Sequence, residues 1–124
     1  MKVLLSIKPE YAEKIFEGTK KYEFRKRVFS INQANKVIVY ASSPVKKVVG
    51  EFIFESIIEE KPEILWNYTK KEAGITKNFF DDYFRDKNTA YAIKIKTTRK
   101  YRTPLDLKND FGLTYAPQSY VYVK

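Results

Sequence analysis

Histidine and cysteine are both missing from this 124-residue chain. Without cysteine no disulfide framework can form, and without either residue the usual zinc sites lose their ligands. The same gap removes Ser-His-Asp and Cys-His nucleophile pairs. Any catalysis must come from Lys, Asp or Glu, Ser or Thr, or Tyr, or from a metal held by oxygen ligands. No run of about eighteen consecutive apolar residues occurs, so a membrane-spanning helix is not expected. The opening MKVLLSI meets charge too soon to be a secretory segment. These absences lead us to expect a cytoplasmic protein that avoids membranes and needs no cofactor and no metal.

Hydrophobic residues make up 44% and aromatics 16%, enough for a modest core in one domain spanning 1–124. The 24 Lys+Arg outnumber the 15 Asp+Glu, for a net charge of +9. That balance suits a polyanionic partner, although a lysine-rich solvated surface would produce the same count. The oligomeric state is not legible.

Periodicity divides the chain. KVLLSI (2–7) reads as a mostly buried strand. Pro9 suits the first turn of a helix in which Tyr11, Ala12, Ile15 and Phe16 share a stripe, with Gly18 as its stop. KVIVYA (36–41) is a strand ending at SSP. A long alternating strand covers 47–58, with Gly50 a candidate bulge or close-approach point. Pro62–Gly74 repeats the proline-start, glycine-stop helix grammar, and Thr76 can cap a further turn or two through Phe79, Phe80, Tyr83 and Phe84. AYAIKIK (90–96) alternates, a short helix is expected in TPLDLKNDFG, and SYVYV (119–123) closes with a strand. The expected fold is α+β: a small mixed β-barrel with short helices packed at its ends.

Between the first helix and the KVIVYA strand lies GTKKYEFRKR (18–27), in which five cations and one acid surround two aromatics. A strand period places Lys21, Glu23, Arg25 and Arg27 on one face and Tyr22, Phe24 and Lys26 on the other. A half-buried strand with a solvated charged face satisfies this pattern. So does a binding face. Glu23 and Arg25 would have Cα atoms roughly 6.5–7 Å apart, close enough for the acid to aim the guanidinium at phosphate or a base edge. Lys20 would add a flexible point charge from the turn.

GTKKYEFR matches G-x-K-x-x-E-x-R and resembles the signature of the ASCH domain, within the wider PUA-like fold. LLSIKPEYAEKIFEG, KVIVYASSPVKKVVGEF, AGIT with FFDDYF, AYAIKI and APQSY extend the resemblance in collinear order. It implies a β-barrel with a cleft beside the first helix, lined by Lys20, Glu23 and Arg25 after the turn at Gly18, and an RNA or nucleotide-like ligand. Some members resemble acetylcytidine amidohydrolases, which use a lysine and, three residues on, a threonine. Here Lys20 is kept and Glu23 replaces the threonine, with Glu72 a candidate for their further acid.

Further binding candidates are Ser42 in the YASSP turn, Lys94 and Lys96 on one strand face, and Gln118 with Ser119 in APQSY. Loop hydrogen bonding and a solvated strand edge explain them equally well. Trp66 is read as core, Asp81 and Asp82 as a poor metal pair, and Glu59 and Glu60 as surface acids. The expected function is RNA or nucleotide binding in a basic cleft, possible regulation included. The rivals are an enzyme of amidohydrolase or ribonuclease type using Lys20 and Glu23, and a protein-interaction module.

Overall fold

The computed structural model describes residues 1–124. Its strands are β1 (Lys2–Ile7), β2 (Tyr22–Arg25), β3 (Lys36–Ala41), β4 (Lys47–Glu60), β5 (Ala90–Leu105) and β6 (Val121–Val123). Four short helices intervene: α1 (Pro9–Glu17), α2 (Pro62–Thr69), α3 (Lys77–Tyr83) and α4 (Leu107–Phe111). Both proline starts hold, because an N–H at that position would have no intrahelical partner. The Gly18 N–H closes α1 on the carbonyls of Lys14 and Ile15 at 3.1 and 3.2 Å. Thr76 accepts from the Phe79 N–H at 3.1 Å and so starts α3 as expected.

The strands form one mixed sheet in the order β2-β5-β4-β3-β1-β6, parallel between β1 and β3 and antiparallel elsewhere. The barrel expected from the sequence is not closed by a ladder. β2 and β6, at the two ends of the order, span four and three residues and do not pair with each other. The sheet still curls far enough for a side chain on β2 to reach the backbone of β1, as described below.

Three apolar clusters hold the sheet. Val3, Leu5, Ile7, Val37, Val39, Phe52 and Ile93 pack one face against Ala12 and Ile15 of α1. Leu4, Ile38, Tyr40 and Val123 pack the other face beneath Leu107 and Phe111 of α4. Tyr22, Phe24, Ala90 and Ala92 meet Leu65 of α2, Phe80 of α3 and Phe84 just beyond it. β1 is therefore buried on both faces, which explains its unbroken apolar run.

β5 is longer than the alternation of AYAIKIK suggests. It runs on through the basic segment, pairing Thr97, Thr98, Arg99 and Lys100 with Ile53, Phe52, Glu51 and Gly50. Those side chains are exposed, so no apolar period announces the strand there.

Gly50 is both things it was expected to be. The register shifts between Val48 and Gly50, and a Cβ at Gly50 would lie 2.6 Å from the Arg99 carbonyl oxygen and overlap the Phe16 ring. The ring can move; the strand carbonyl cannot do so without disturbing the ladder. Gly50→Ala is expected to lower stability by about 1–3 kcal/mol in urea unfolding, and an unchanged midpoint would show that β5 yields there at no cost.

Candidate functional site

The turn after α1 carries the chain into the sheet along a path fixed by backbone hydrogen bonds. The Lys20 N–H donates to the Lys14 carbonyl at 3.1 Å, the Lys21 N–H to the Glu72 carbonyl at 2.9 Å, and the Ile95 N–H to the Lys21 carbonyl at 2.9 Å. This wedges residues 20 and 21 between α1, β5 and the short 3-10 turn Lys70–Glu72 that follows α2. Lys20 is then directed inward and is only 2% exposed.

Its position is the main correction to the sequence reading, which made Lys20 a flexible cation for phosphate. The Lys20 ammonium donates to the Ala73 carbonyl at 2.8 Å. It also sits 4.9 Å from the centroid of the Phe24 ring and 5.5 Å from that of Tyr11. Its aliphatic stem occupies the space a Cβ on Gly74 would need, with Cβ and Cγ at 2.5 and 2.6 Å from that point. Gly74 also has φ +70°, so any other residue there would both clash and strain. Burial pushes the Lys20 pKa from 10.5 down to about 8, with Lys14 and Arg25 pushing the same way and Glu23 opposing them.

β2 is buried on both faces rather than half-buried. Tyr22 and Phe24 face the aromatic cluster, as expected, but Glu23 on the other face is only 7% exposed. Glu23 forms an ion pair with Arg25, Oε2 accepting from Nε at 3.0 Å and lying 2.9 Å from Nη2. Arg25 Nη2 also donates to the Ser6 carbonyl on β1 at 2.7 Å. The guanidinium thus bridges the seam that no backbone ladder closes. Arg25 Nη1 and Glu23 Oε1 make no hydrogen bond within the protein and are not sealed from solvent.

These groups line a cavity of about 170 Å³. Lys20, Glu23, Phe24 and Arg25 from the turn and β2 line it together with Ser6 of β1. Tyr11 of α1 and Phe79 and Tyr83 of α3 add three more aromatic rings, with Ile7, Ile75 and Lys8 completing the lining. Phe79 and Tyr83 stack at 6.2 Å with planes 11° apart, and Tyr11 meets Phe79 edge-on at 5.5 Å. Burial raises the pKa of both Tyr11 and Tyr83.

The rings from α1 and α3 were not foreseen as part of the site. FFDDYF carries two stripes at helical spacing, and the sequence alone does not tell them apart: Phe80 and Phe84 enter the core, while Phe79 and Tyr83 face the cavity.

Of the expected site residues, the structure brings Lys20, Glu23 and Arg25 together. Gly18 stays exposed at the end of α1, and Arg27 is exposed beyond β2. Ser42 lies next to the cavity without lining it, its N–H donating to the Ile7 carbonyl at 2.9 Å. Lys94 pairs with Glu55 at 3.1 Å, which raises its pKa, and Lys96 is exposed on β5. Gln118 is exposed and Ser119 half-buried in a loop whose Pro117 carbonyl accepts from the Ser6 hydroxyl at 3.0 Å. Glu72 is exposed and does not line the cavity. Trp66 packs on Phe80 at 5.1 Å, and Asp81 and Asp82 pair separately with Lys77 and Arg85 at the surface.

The depressed Lys20 pKa links stability to pH. The unfolded chain binds this proton more tightly than the folded one between pH 8 and 10.5, so stability from Lys20 rises with pH across that window. Relative to Lys20→Met, the parent should gain about 3 kcal/mol at most from pH 7.5 to 10.5, read from urea unfolding of both proteins. A constant difference would show that the ammonium is not desolvated.

Arg25→Ala leaves Glu23 buried without its partner and opens the β1–β2 seam. It should cost about 3 kcal/mol, and Glu23→Ala in the Arg25→Ala background should cost far less than in the parent. Additive losses in that double-mutant cycle would show that the two side chains act independently.

Comparison with known proteins places this architecture. The family model of the ASCH domain matches residues 5–99. The chain is 34% identical over 122 residues to Large ribosomal subunit protein uL22 of Ureaplasma parvum, covering 98% of this chain but 39% of that protein. It is 31% identical over 104 residues to an ASCH domain-containing ribonuclease of Zymomonas mobilis, covering 84% of this chain and 70% of that one. The crystal structure of ASCH from Zymomonas mobilis superposes with a TM-score of 0.91 at 28% identity, covering 99% of this chain and 87% of that one. With its open mixed sheet, its cleft beside α1 and a matching model across 5–99, the chain belongs to the ASCH domain family.

Proposed function

We propose that residues 1–124 act as one domain that binds single-stranded RNA, holding one unstacked base in the cleft between α1, α3 and β2. The observation that carries this reading is that one cavity is lined both by aromatic rings and by the Glu23–Arg25 pair. Aromatic faces hold a base of any identity by stacking, and a neighbouring acceptor and donor then engage its edge. Glu23 Oε1 can accept from a base amino group, and Arg25 Nη1 can donate to a ring nitrogen or carbonyl. A cavity of about 170 Å³ is smaller than the roughly 300 Å³ and upward of drug-sized sites. It suits one planar ring system and not a base pair. The net charge of +9 supplies attraction to a polyanion.

Cleavage of the bound strand is the second reading. Lys20 favours it, since a pKa of about 8 leaves on the order of a tenth of the amine neutral at pH 7. A neutral amine can take the proton of an attacking hydroxyl. The Zymomonas relative that bears the name ribonuclease supports the same reading. The amidohydrolase reading finds less support, because Ser6, the one serine lining the cavity, donates its hydroxyl to Pro117.

The test is titration of a labelled mixed-sequence single strand and of its duplex, at low and physiological salt. The single strand should bind more tightly, and Phe79→Ala and Tyr83→Ala should each weaken it by about 1–3 kcal/mol. Equal affinity for the duplex, or indifference to both substitutions, would overturn base binding. Fragments that accumulate with the parent protein and vanish with Lys20→Met would move cleavage to first place.

A further inference from the structure

We infer that the cleft takes an internal nucleotide of the strand, with the phosphates on either side of the bound base held by Lys8 and Lys26. This rests on the base-binding reading above and assigns what that reading leaves open, the path of the backbone.

Two of the cations first expected to meet phosphate are committed inside the cleft. Lys20 donates to Ala73, and Arg25 holds Glu23 and Ser6. Two others stand at the cavity's aromatic rings. Lys8 Nζ lies 5.0 Å from the centroid of Phe79, and Lys26 Nζ lies 4.7 Å from that of Tyr83. Phe79 and Tyr83 are stacked neighbours, so one ammonium stands against each ring of the pair. The two lysines come from separate segments, the β1–α1 junction and the chain just after β2.

Both lysines are exposed and neither takes part in an ion pair. An ammonium resting on an aromatic face is attracted weakly and keeps a flexible stem, so it can turn to a phosphate that arrives beside the ring. The Lys8 end has a second feature of the same sign. Lys8 is the residue before α1, no side chain caps that helix, and Pro9 contributes no N–H. The positive end of the helix dipole therefore lies beside Lys8, with the exposed Glu10 carboxylate the acid of that first turn.

A base stacked on this pair sends its backbone out in two directions. A free nucleoside leaves both lysines without an anion, a terminal nucleotide leaves one, and an internal nucleotide satisfies both. The cleft so built selects a position within a strand rather than an end.

NMR titration of the parent protein, Lys8→Ala and Lys26→Ala tests this with the four ribonucleosides, their 5′- and 3′-monophosphates, and their 5′,3′-bisphosphates. For the parent, each phosphate should tighten binding about 10-fold at low salt. Each variant should lose the gain from one phosphate only, a different one in the two proteins, and Lys26→Ala, which lies outside the cavity lining, should bind the nucleosides as the parent does. Nucleosides that bind as tightly as bisphosphates would overturn the phosphate assignment and leave base binding standing. So would a variant that loses nucleoside and bisphosphate affinity alike. No binding of any of these ligands would remove base binding itself, and the phosphate assignment with it.

Discussion

The cleft end of this molecule depends on the burial of one ammonium group. Lys20 can stay inside because its stem runs through the gap left by Gly74, its Nζ reaches the Ala73 carbonyl, and two ring faces stand in for the lost water. Each of those partners constrains another element. Gly74 and Ala73 fix the chain between α2 and α3, which aims Phe79 and Tyr83 at the cavity. Phe24 and Tyr11 fix β2 and α1 on the other sides. A shorter or apolar residue at 20 would leave the Ala73 carbonyl without its partner.

Two kinds of buried charge sit side by side and are handled differently. Glu23 and Arg25 share an ion pair that a backbone carbonyl on β1 extends. Lys20 has a carbonyl and ring faces but no carboxylate of its own at hydrogen-bond distance, and its pKa falls to about 8. The same desolvation that weakens its charge makes the amine available as a base near neutral pH.

All the groups that line this cavity lie between Ser6 and Tyr83, inside the 5–99 span that matches the family model. α4 and β6 fall outside that span, α4 covering the opposite face of the sheet and β6 forming its edge beside β1. The chain spans 39% of the Ureaplasma ribosomal relative and 15% of a 32%-identical ATP synthase subunit alpha from the same species. In both comparisons 98% of this chain is covered.

Local pattern determined much of this protein. The proline starts of α1 and α2, the Thr76 cap, the buried run of β1 and the close approach at Gly50 all follow from neighbours in sequence or from the alternation of side chains along a strand. The motif GTKKYEFR named three of the residues that line the cleft. Tertiary structure decided what those residues do. The Lys20 partner is 53 residues away and the Arg25 partner 19, and no periodicity reports which distant carbonyl will meet a cation. A burial pattern also cannot separate core aromatics from cavity aromatics, because both are apolar at the same helical spacing. Phe80 meets Phe24 of β2 in the core while Tyr83 lines the cavity, and only the seating of α3 on the sheet decides which of its rings does which.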